Sequence, residues 1–305
     1  MMNESKLVSV IIPTYKRPDT LARTINSVLK QSYNNIEIIV VDDNDPKWNE
    51  RKLTEELMKK YNKENIHYLK HDFNKNGSAA RNTGFRYSKG DYVMFLDDDD
   101  EFTEYKVEKQ VEKLETLDSS WGACYTSYVR KKNDKIIVYG AEKREGNLLI
   151  EELMRNLFVH AGSNLMVRRE VVEEINGFDE SFKRNQDVEF LSRILMKYKL
   201  AYVDVVGLVV HIHDREYSKR NFEEITNEYV NKFEPIIKSL TSEEQRKIQK
   251  MIELQLFRNY LCTKGSRMEV IKQIKQRRIT VILTIRYLGH LVKRRVTNKS
   301  YGFYI

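Results

Sequence analysis

The chain opens with Leu7-Val8-Ser9-Val10-Ile11-Ile12, a short apolar run that Pro13 ends. A run of this length predicts a first strand over residues 8–12 and is too short for a signal-peptide core. A loop over 13–19 leads to an amphipathic stretch that predicts a helix near 20–31. The alternation then repeats. Residues 36–41 read as a second strand, 48–60 as a polar helix and 66–69 as a short strand. Asn76-Gly77 breaks the chain before a helix over 78–87, and 92–96 form the next strand. Strands alternating with helices of this length predict an α/β fold with a parallel, doubly wound sheet.

After Glu101 the pattern predicts a helix to about Leu117 and strands near 123–130 and 136–139. A helix over 148–156, a turn at Gly162-Ser163-Asn164 and a strand over 165–167 follow. Helices over 169–175 and 190–198 precede a strand over 201–210 that ends at His211-Ile212-His213. From Asn221 onward no strand pattern survives, and a mostly helical segment is broken around Pro235 and again around 264–266. The expected division is an α/β domain over 1–220 and a helical region over 221–305.

Two acid clusters stand at carboxyl ends of predicted strands: Asp42-Asp43-Asn44-Asp45 and Asp97-Asp98-Asp99-Asp100. In doubly wound sheets ligands bind at those ends. Four adjacent carboxylates repel one another unless something positive binds there. A hard divalent cation with oxygen ligands is the natural neutraliser, and such cations commonly carry a substrate diphosphate. A solvated acidic turn is the alternative. An EF-hand is excluded, because no glycine follows at the required position and the closing glutamate is missing.

Five motifs carry a resemblance to a known family. Val8-Ser9-Val10-Ile11-Ile12-Pro13-Thr14-Tyr15-Lys16-Arg17 resembles the opening of family 2 glycosyltransferases, and Val40-Val41-Asp42-Asp43-Asn44 their second-strand motif. Gly77-Ser78-Ala79-Ala80-Arg81-Asn82 and Leu96-Asp97-Asp98-Asp99-Asp100 resemble the third and fourth. Asn185-Gln186-Asp187 resembles the acidic motif near the catalytic base. The likeness runs over roughly residues 7–215. It implies the GT-A fold, a Rossmann-like and mainly parallel sheet flanked by helices, and transfer of a sugar from a nucleotide donor with inversion.

The same residues can be read physically. Pro13 and Tyr15 offer a surface for a base, and Asp43 can accept from a uracil or guanine ring N–H. Arg17 and Arg81 can contact phosphate or base. Tyr15 as an ordinary loop aromatic and Arg81 as an ion-pair partner of the acids remain open.

By resemblance, Asp97 and Asp99 form the D-x-D pair. Asp99 would ligate Mn²⁺ or Mg²⁺ directly, with Asp97 and Asp98 near the ribose and metal and Asp100 structural. Asp187 would be the base that deprotonates the acceptor hydroxyl, a helix N-cap being the other reading. Gln186 replaces the first acid of the commoner Glu-Asp pair, which removes one like charge beside Asp187. Gly162, Ser163, Asn164 and Gln186 would border the acceptor. His211 or His213 could add a metal or diphosphate contact, and Ser218 and Arg220 could close over the donor phosphates.

The net charge of +8 is concentrated in the tail. Residues 264–299 hold eleven Lys or Arg and one acid, Glu269, so the body is close to neutral. There Val270, Ile274, Val281, Ile285, Leu288 and Val292 share a helical face, with Lys272, Lys275, Arg286, Lys293 and Arg294 roughly opposite. The stretch 280–292 is too short and too charged to span a bilayer. A basic amphipathic helix fits an anionic membrane surface, reached through residues 266–305, and a helix packed back on the protein is the alternative. Nucleic acid is a poor match, because no aromatic residues interleave at stacking intervals. Two cysteines, Cys124 and Cys262, point to a reducing compartment rather than a disulfide framework.

The reading that unites these features is a metal-dependent inverting glycosyltransferase. It would use a nucleotide-sugar, a UDP-sugar foremost, and a glycan or lipid-linked acceptor of cell-surface polysaccharide. It would be cytoplasmic and peripheral on the inner face of the cell membrane. Two alternatives stand beside it. A sugar-phosphate nucleotidyltransferase would need a glycine-rich first loop, and residues 13–17 contain no glycine. A non-catalytic membrane or polyanion-binding protein on the same body would have no use for Asp99 and Asp187. A dinucleotide enzyme is disfavoured, because no G-x-G-x-x-G follows the first strand.

Overall fold

Four short strands build one side of a mixed sheet. In the computed structural model, which describes residues 5–182, 184–212, 222–263 and 280–305, they form β1 (Val8–Thr14), β2 (Ile36–Asp42), β3 (Ile66–Lys70) and β4 (Tyr92–Phe95). These four are parallel, in the order β3-β2-β1-β4. Every residue of β2 is buried, and so are six of the seven in β1, which is why both runs are Val/Ile-rich without alternation. Helices α1 (Pro18–Leu29), α2 (Asn49–Met58) and α3 (Gly77–Tyr87) make the crossovers. Pro18 starts α1, where its missing N–H costs nothing.

Beyond β4 the sheet takes in antiparallel pairs, which the alternating pattern did not predict. The two-residue β5 (Glu101–Phe102) precedes α4 (Lys106–Glu115), and β6 (Trp121–Lys132) turns into β7 (Lys135–Gly140). Asn133 and Asp134, both at positive φ, form the two-residue loop that suits the twist of a hairpin. Beyond β6, β8 (Met166–Arg168) pairs antiparallel with both β4 and β6, while β9 (Lys199–His211) runs parallel to β6. The expected turn at Gly162-Ser163-Asn164 is a short helix, α6 (Ala161–Asn164). Helices α7 (Arg169–Glu174) and α8 (Gln186–Leu195) complete this unit, which comprises Met1–Asn147 and Val159–His213.

Strand register sets the site. Thr14 stands opposite Asp42 and Ile11 opposite Phe95, so the chain leaves β1, β2 and β4 at one edge. There the four aspartates after Leu96 meet the loop after Thr14.

The second unit comprises Leu148–Phe158 and Asp214–Ile305, so the division is not the linear one expected at residue 220. Its helices are α5 (Leu149–Leu153), α9 (Phe222–Ser239), α10 (Ser242–Thr263) and α11 (Val281–Thr297). The 148–158 segment belongs here because its backbone is held here. Tyr229 donates to Glu152 O at 3.1 Å, Gln255 to Met154 O at 2.9 Å, and Asn156 exchanges two bonds with the Phe303 backbone.

Pro235 does not break the helix. It sits on the exposed side of α9, where the Asn231 carbonyl it leaves without a partner can face water. The break comes at Thr241, which caps α10 in a reciprocal box. Thr241 N donates to Glu244 Oε2 at 2.9 Å, and Glu244 N donates to Thr241 Oγ1 at 3.3 Å. The second expected break, at 264–266, lies outside the described residues, as do Val270, Lys272, Ile274 and Lys275.

Helix α11 has two apolar sides. Thr284 and Tyr287 are buried, while Val281, Ile282, Ile285, Val292 and Val296 are 60–78% exposed. At about 100° per residue, Arg286 and Lys293 border one edge of this exposed stripe and Arg295 the other. The basic residues therefore flank the stripe rather than oppose it. Arg294 turns to the buried side, its guanidinium 4.1 Å from the Phe158 ring centroid.

Candidate active site

At the edge where β1, β2 and β4 end, a cleft of about 390 Å³ is lined by all seven residues expected on the nucleotide side. They are Pro13, Tyr15, Arg17, Asp43, Arg81, Asp97 and Asp98. Tyr15 is 38% exposed, its ring 5.8 Å from that of Trp48. An exposed aromatic beside a second ring is a surface on which a base can stack.

The four aspartates part in role. Asp98 is fixed from three sides, accepting from Thr14 Oγ1 at 2.8 Å, Tyr15 N at 3.2 Å and Arg17 Nη1 at 2.9 Å. The same Arg17 nitrogen lies 2.8 Å from Asp99 Oδ2, so one guanidinium serves two carboxylates. Asp97 turns the other way and accepts from Arg81 Nη2 at 2.6 Å. Asp100 points inward to His160 Nε2 at 3.4 Å. Burial opposes protonation of His160, but the Asp100 hydrogen bond and charge outweigh it and raise its pKa.

This positive charge does not balance the acids. Burial pushes Asp98 up to about 6 and Asp99 up to about 7, despite the pull of Arg17. Burial raises Asp97 as well, against the pull of Arg81, with Asp100 and Asp187 adding to the rise. The site is therefore short of cationic charge.

Helix α3 delivers Arg81. Asn76, at φ 83°, caps the helix by accepting from Ser78 N and Ala79 N. A Cβ at Gly77 would stand 3.0 Å from Arg81 Nη1 and 3.2 Å from Gln186 Oε1, so both side-chain ends would have to give by a few tenths of an ångström. Gln186 accepts from Arg81 at 3.4 Å, so its neutral amide steadies the guanidinium from the side opposite Asp97.

Asp187 follows in the first turn of α8. Asn185 occupies the N-cap, so Asp187 is not the cap. Gly162 lies between the two halves of the site. A Cβ on Gly162 would stand 3.5 Å from Asp97 Oδ2 and 3.7 Å from Asp187 Oδ2. The gap between these carboxylates is thus kept open by a residue without a side chain.

Other expected residues sit elsewhere. Ser163 Oγ accepts from Asp97 N at 3.1 Å, which ties α6 to the aspartates. Asn164 does not face an acceptor: it is fully buried, its amide donating to Thr126 O and Val159 O. Its Oδ1 accepts from Lys106 Nζ at 2.6 Å and from Thr126 Oγ1 at 2.7 Å. Asp43 lines the cleft, but its acceptor positions are already used. Oδ1 pairs with His71 Nδ1 and Lys75 N at 2.8 Å each, and Oδ2 accepts from Asn74 Nδ2 at 2.8 Å and Asn76 N at 3.0 Å. It anchors the loop that leads into α3. His211 lies 2.5 Å from Glu101 Oε1 and pairs there rather than with Asp97 or Asp99. His213, Ser218 and Arg220 lie outside the described residues.

The sequence reading missed Thr14, His71, Asn74 and His160. Thr14 and His71 stand at or just after strand ends, where the strand-end rule would have found them. His160 carries no local signal, because its partner Asp100 is sixty residues away.

The sequence model described as Glycosyl transferase family 2 matches residues 9–176, more than half of the chain. This chain belongs to glycosyl transferase family 2. An uncharacterized glycosyltransferase of Rickettsia typhi is 28% identical over 247 residues, covering 79% of this chain and 74% of the relative. The Escherichia coli UDP-Glc:α-D-GlcNAc-diphosphoundecaprenol β-1,3-glucosyltransferase WfaP is 36% identical over 113 residues, 36% of this chain and 42% of its own length. Among solved structures, Staphylococcus aureus TarS 1–349 in complex with UDP superposes with a TM-score of 0.64 at 17% identity. That match covers 96% of this chain and 88% of the TarS chain. The likeness supplies the GT-A fold. The transferase therefore has the family's architecture, and the nucleotidyltransferase alternative loses its ground.

Proposed function

We propose that this family 2 transferase moves a sugar from a UDP-sugar to a hydroxyl of a glycan or lipid-linked acceptor, with inversion, in cell-surface polysaccharide synthesis. The observation that carries the reading is the gap at Gly162, bordered by Asp97 on the donor side and Asp187 on the other. Tyr15 and Pro13 receive the base, and Asp43 exchanges one of its loop hydrogen bonds for the base N–H. Arg17 and Arg81 bind the diphosphate. Asp187 takes the proton from the acceptor hydroxyl as that oxygen attacks the anomeric carbon. Gln186 holds Arg81 in place without adding a second negative charge beside the base.

A divalent ion fits the donor set. Among the described residues no group of three or more His, Cys, Asp or Glu could hold a metal alone, so an ion held by two aspartates would take its remaining ligands from the donor or from water. The shortage of cationic charge at Asp98 and Asp99 supports this. Asp99 and Asp97 would hold Mn²⁺ or Mg²⁺, which when bound supplies Lewis-acid stabilisation of the departing nucleoside diphosphate.

The exposed stripe of α11 with its basic borders supports work at an anionic membrane face. Among the described residues no helix is long and apolar enough to cross a membrane. The acceptor named for WfaP, an α-D-GlcNAc-diphosphoundecaprenol, supports a lipid-linked substrate.

UDP release from a panel of UDP-sugars, with Mn²⁺ and with EDTA, tests the reading. One donor should turn over slowly without acceptor, and only with the metal. No turnover and no binding for any UDP-sugar would sink it.

A further inference from the structure

The short helix α6, which carries Gly162 and Ser163, is held at both ends by side chains from other elements. At its start His160, in the left-handed region at φ 57°, places Nε2 3.4 Å from Asp100 Oδ2. At its end stands Lys106 of α4, whose side chain is fully buried. Lys106 Nζ donates to Asn164 Oδ1 at 2.6 Å, to Asn164 O at 3.1 Å and to Thr126 Oγ1 at 3.2 Å. Gln110, one turn further along α4, donates to Asn164 O at 3.3 Å. The last carbonyls of a helix have no donor within it, and here α4 supplies two.

Thr126 of β6 completes the clamp. Its hydroxyl donates to Asn164 Oδ1 at 2.7 Å, and its carbonyl accepts from Asn164 Nδ2 at 2.6 Å. Between the two anchors, Ser163 Oγ accepts from Asp97 N at 3.1 Å. Gly162 stands there as well, against both Asp97 and Asp187. Burying an amine is costly, and an apolar side chain would fill that volume without the cost. What the amine adds is a fixed placement of α6.

We infer that Lys106 is a positioning residue for the attack step: by clamping Asn164 it fixes where Gly162 and Ser163 stand between Asp97 and Asp187. The inference rests on the glycosyl-transfer reading above. The attacking hydroxyl must reach the anomeric carbon and Asp187 together, so a loosened α6 lowers the rate of attack. Tyr15 and Arg17, on the donor side of the cleft, lie outside the clamp, and donor affinity should hold.

The test uses the full chain, with water as the attacking hydroxyl and the UDP-sugar that the wild type hydrolyses. Rates are taken per donor-binding site, counted by calorimetry, so that unfolded protein does not enter. Lys106→Met and Thr126→Val should each lower kcat about tenfold or more with donor Kd unchanged. Thr126→Ser keeps the hydroxyl and should stay near the wild type. Val28→Ala, a truncation in the core beside α1, is the destabilised control and should keep its kcat. Amide exchange at Asp97 and Ser163 should quicken in Lys106→Met and not in Val28→Ala. An unchanged kcat or unchanged exchange in Lys106→Met overturns the inference, and so does an equal loss of kcat in Thr126→Ser or Val28→Ala. A wild type that hydrolyses no UDP-sugar sinks the transfer reading and this inference with it. Turnover by the wild type beside unchanged variants sinks this inference alone.

Discussion

Arg81 Nη2 donates to Asp97 Oδ1 at 2.6 Å, and this bond joins the start of α3 to the acid run after β4. The Arg81 side chain is 11% exposed and that of Asp97 36%, so the pair is sheltered on the arginine side only. Lysine cannot reproduce the fork that reaches both Asp97 and Gln186. Arg81→Lys should lower donor turnover about tenfold or more. Arg81→Met should also cost about 1–2 kcal/mol of stability, because it leaves Asp97 without its partner. Urea denaturation beside a UDP-release assay separates the two effects. Full activity in Arg81→Lys would contradict the two-sided contact.

Asp187→Asn keeps the shape of the site and removes the proposed base. Transfer to acceptor should fall by about 10²–10⁴-fold while UDP-sugar affinity stays unchanged. Calorimetric donor binding and a transfer assay on the same sample check this. Unchanged transfer would take Asp187 out of the base role.

Gly162→Ala isolates the gap between the carboxylates. The new methyl would meet Asp97 and Asp187 at 3.5–3.7 Å, ordinary contact distances, so the fold should be stable to within about 0.5 kcal/mol. It nevertheless fills the space proposed for the acceptor. Acceptor KM should rise strongly with donor hydrolysis retained, and a wild-type KM would show that the acceptor enters elsewhere.

Lys106 makes stability depend on pH. Its ammonium group is fully buried against Asn164 and Thr126, and burial pushes its pKa down to about 7. The unfolded chain keeps the ordinary value near 10.5. Between these values the unfolded state binds the extra proton, so stability should climb with pH at about 1.4 kcal/mol per unit. Below pH 7 both states are protonated and the gain is absent. Denaturation midpoints at pH 7 and pH 9 should differ in the wild type and converge in Lys106→Met. Parallel curves for the two proteins would refute the buried neutral amine.

The stripe on α11 gives an exposed surface to test. Deleting residues 266–305 would be uninformative, because Tyr287 and Phe303 are buried in the second unit. Ile285→Glu with Val292→Glu changes only exposed positions. Binding to phosphatidylglycerol vesicles should drop about tenfold or more, since each apolar side chain is worth roughly 1.5–3 kcal/mol on burial. Undiminished vesicle binding would rule out the stripe as the contact.

What the sequence disclosed was whatever is local. The continuous apolar runs of β1 and β2 announce strands buried on both faces, and carboxyl ends of parallel strands announce where ligands go. The strand-end rule pointed to Asp97 and Asp98, and the resemblance to family motifs added Arg17 and Arg81. What stayed hidden depends on partners far apart in the chain. Asn164 looked like a surface turn because nothing nearby reveals that Lys106 and Thr126 will enclose it. Asp43 looked free to meet a base because its loop partners, residues 71–76, belong to the next strand–helix connection. Pro235 looked like a break because exposure on one side of a helix is not written in the residue itself. The capping box at Thr241-Ser242-Glu243-Glu244 was local and legible, and simply went unread.

The excursion of residues 148–158 into the second unit bears on how this protein can be dissected. A fragment ending at residue 220 would carry Leu153, Met154 and Asn156 without Tyr229, Gln255 or Phe303, the groups that bury and bond them. Such a fragment would present an adhesive surface and collect in inclusion bodies. Swapping acceptor preference by grafting catalytic halves between relatives therefore requires a discontinuous cut, one that replaces this eleven-residue segment together with everything after residue 213.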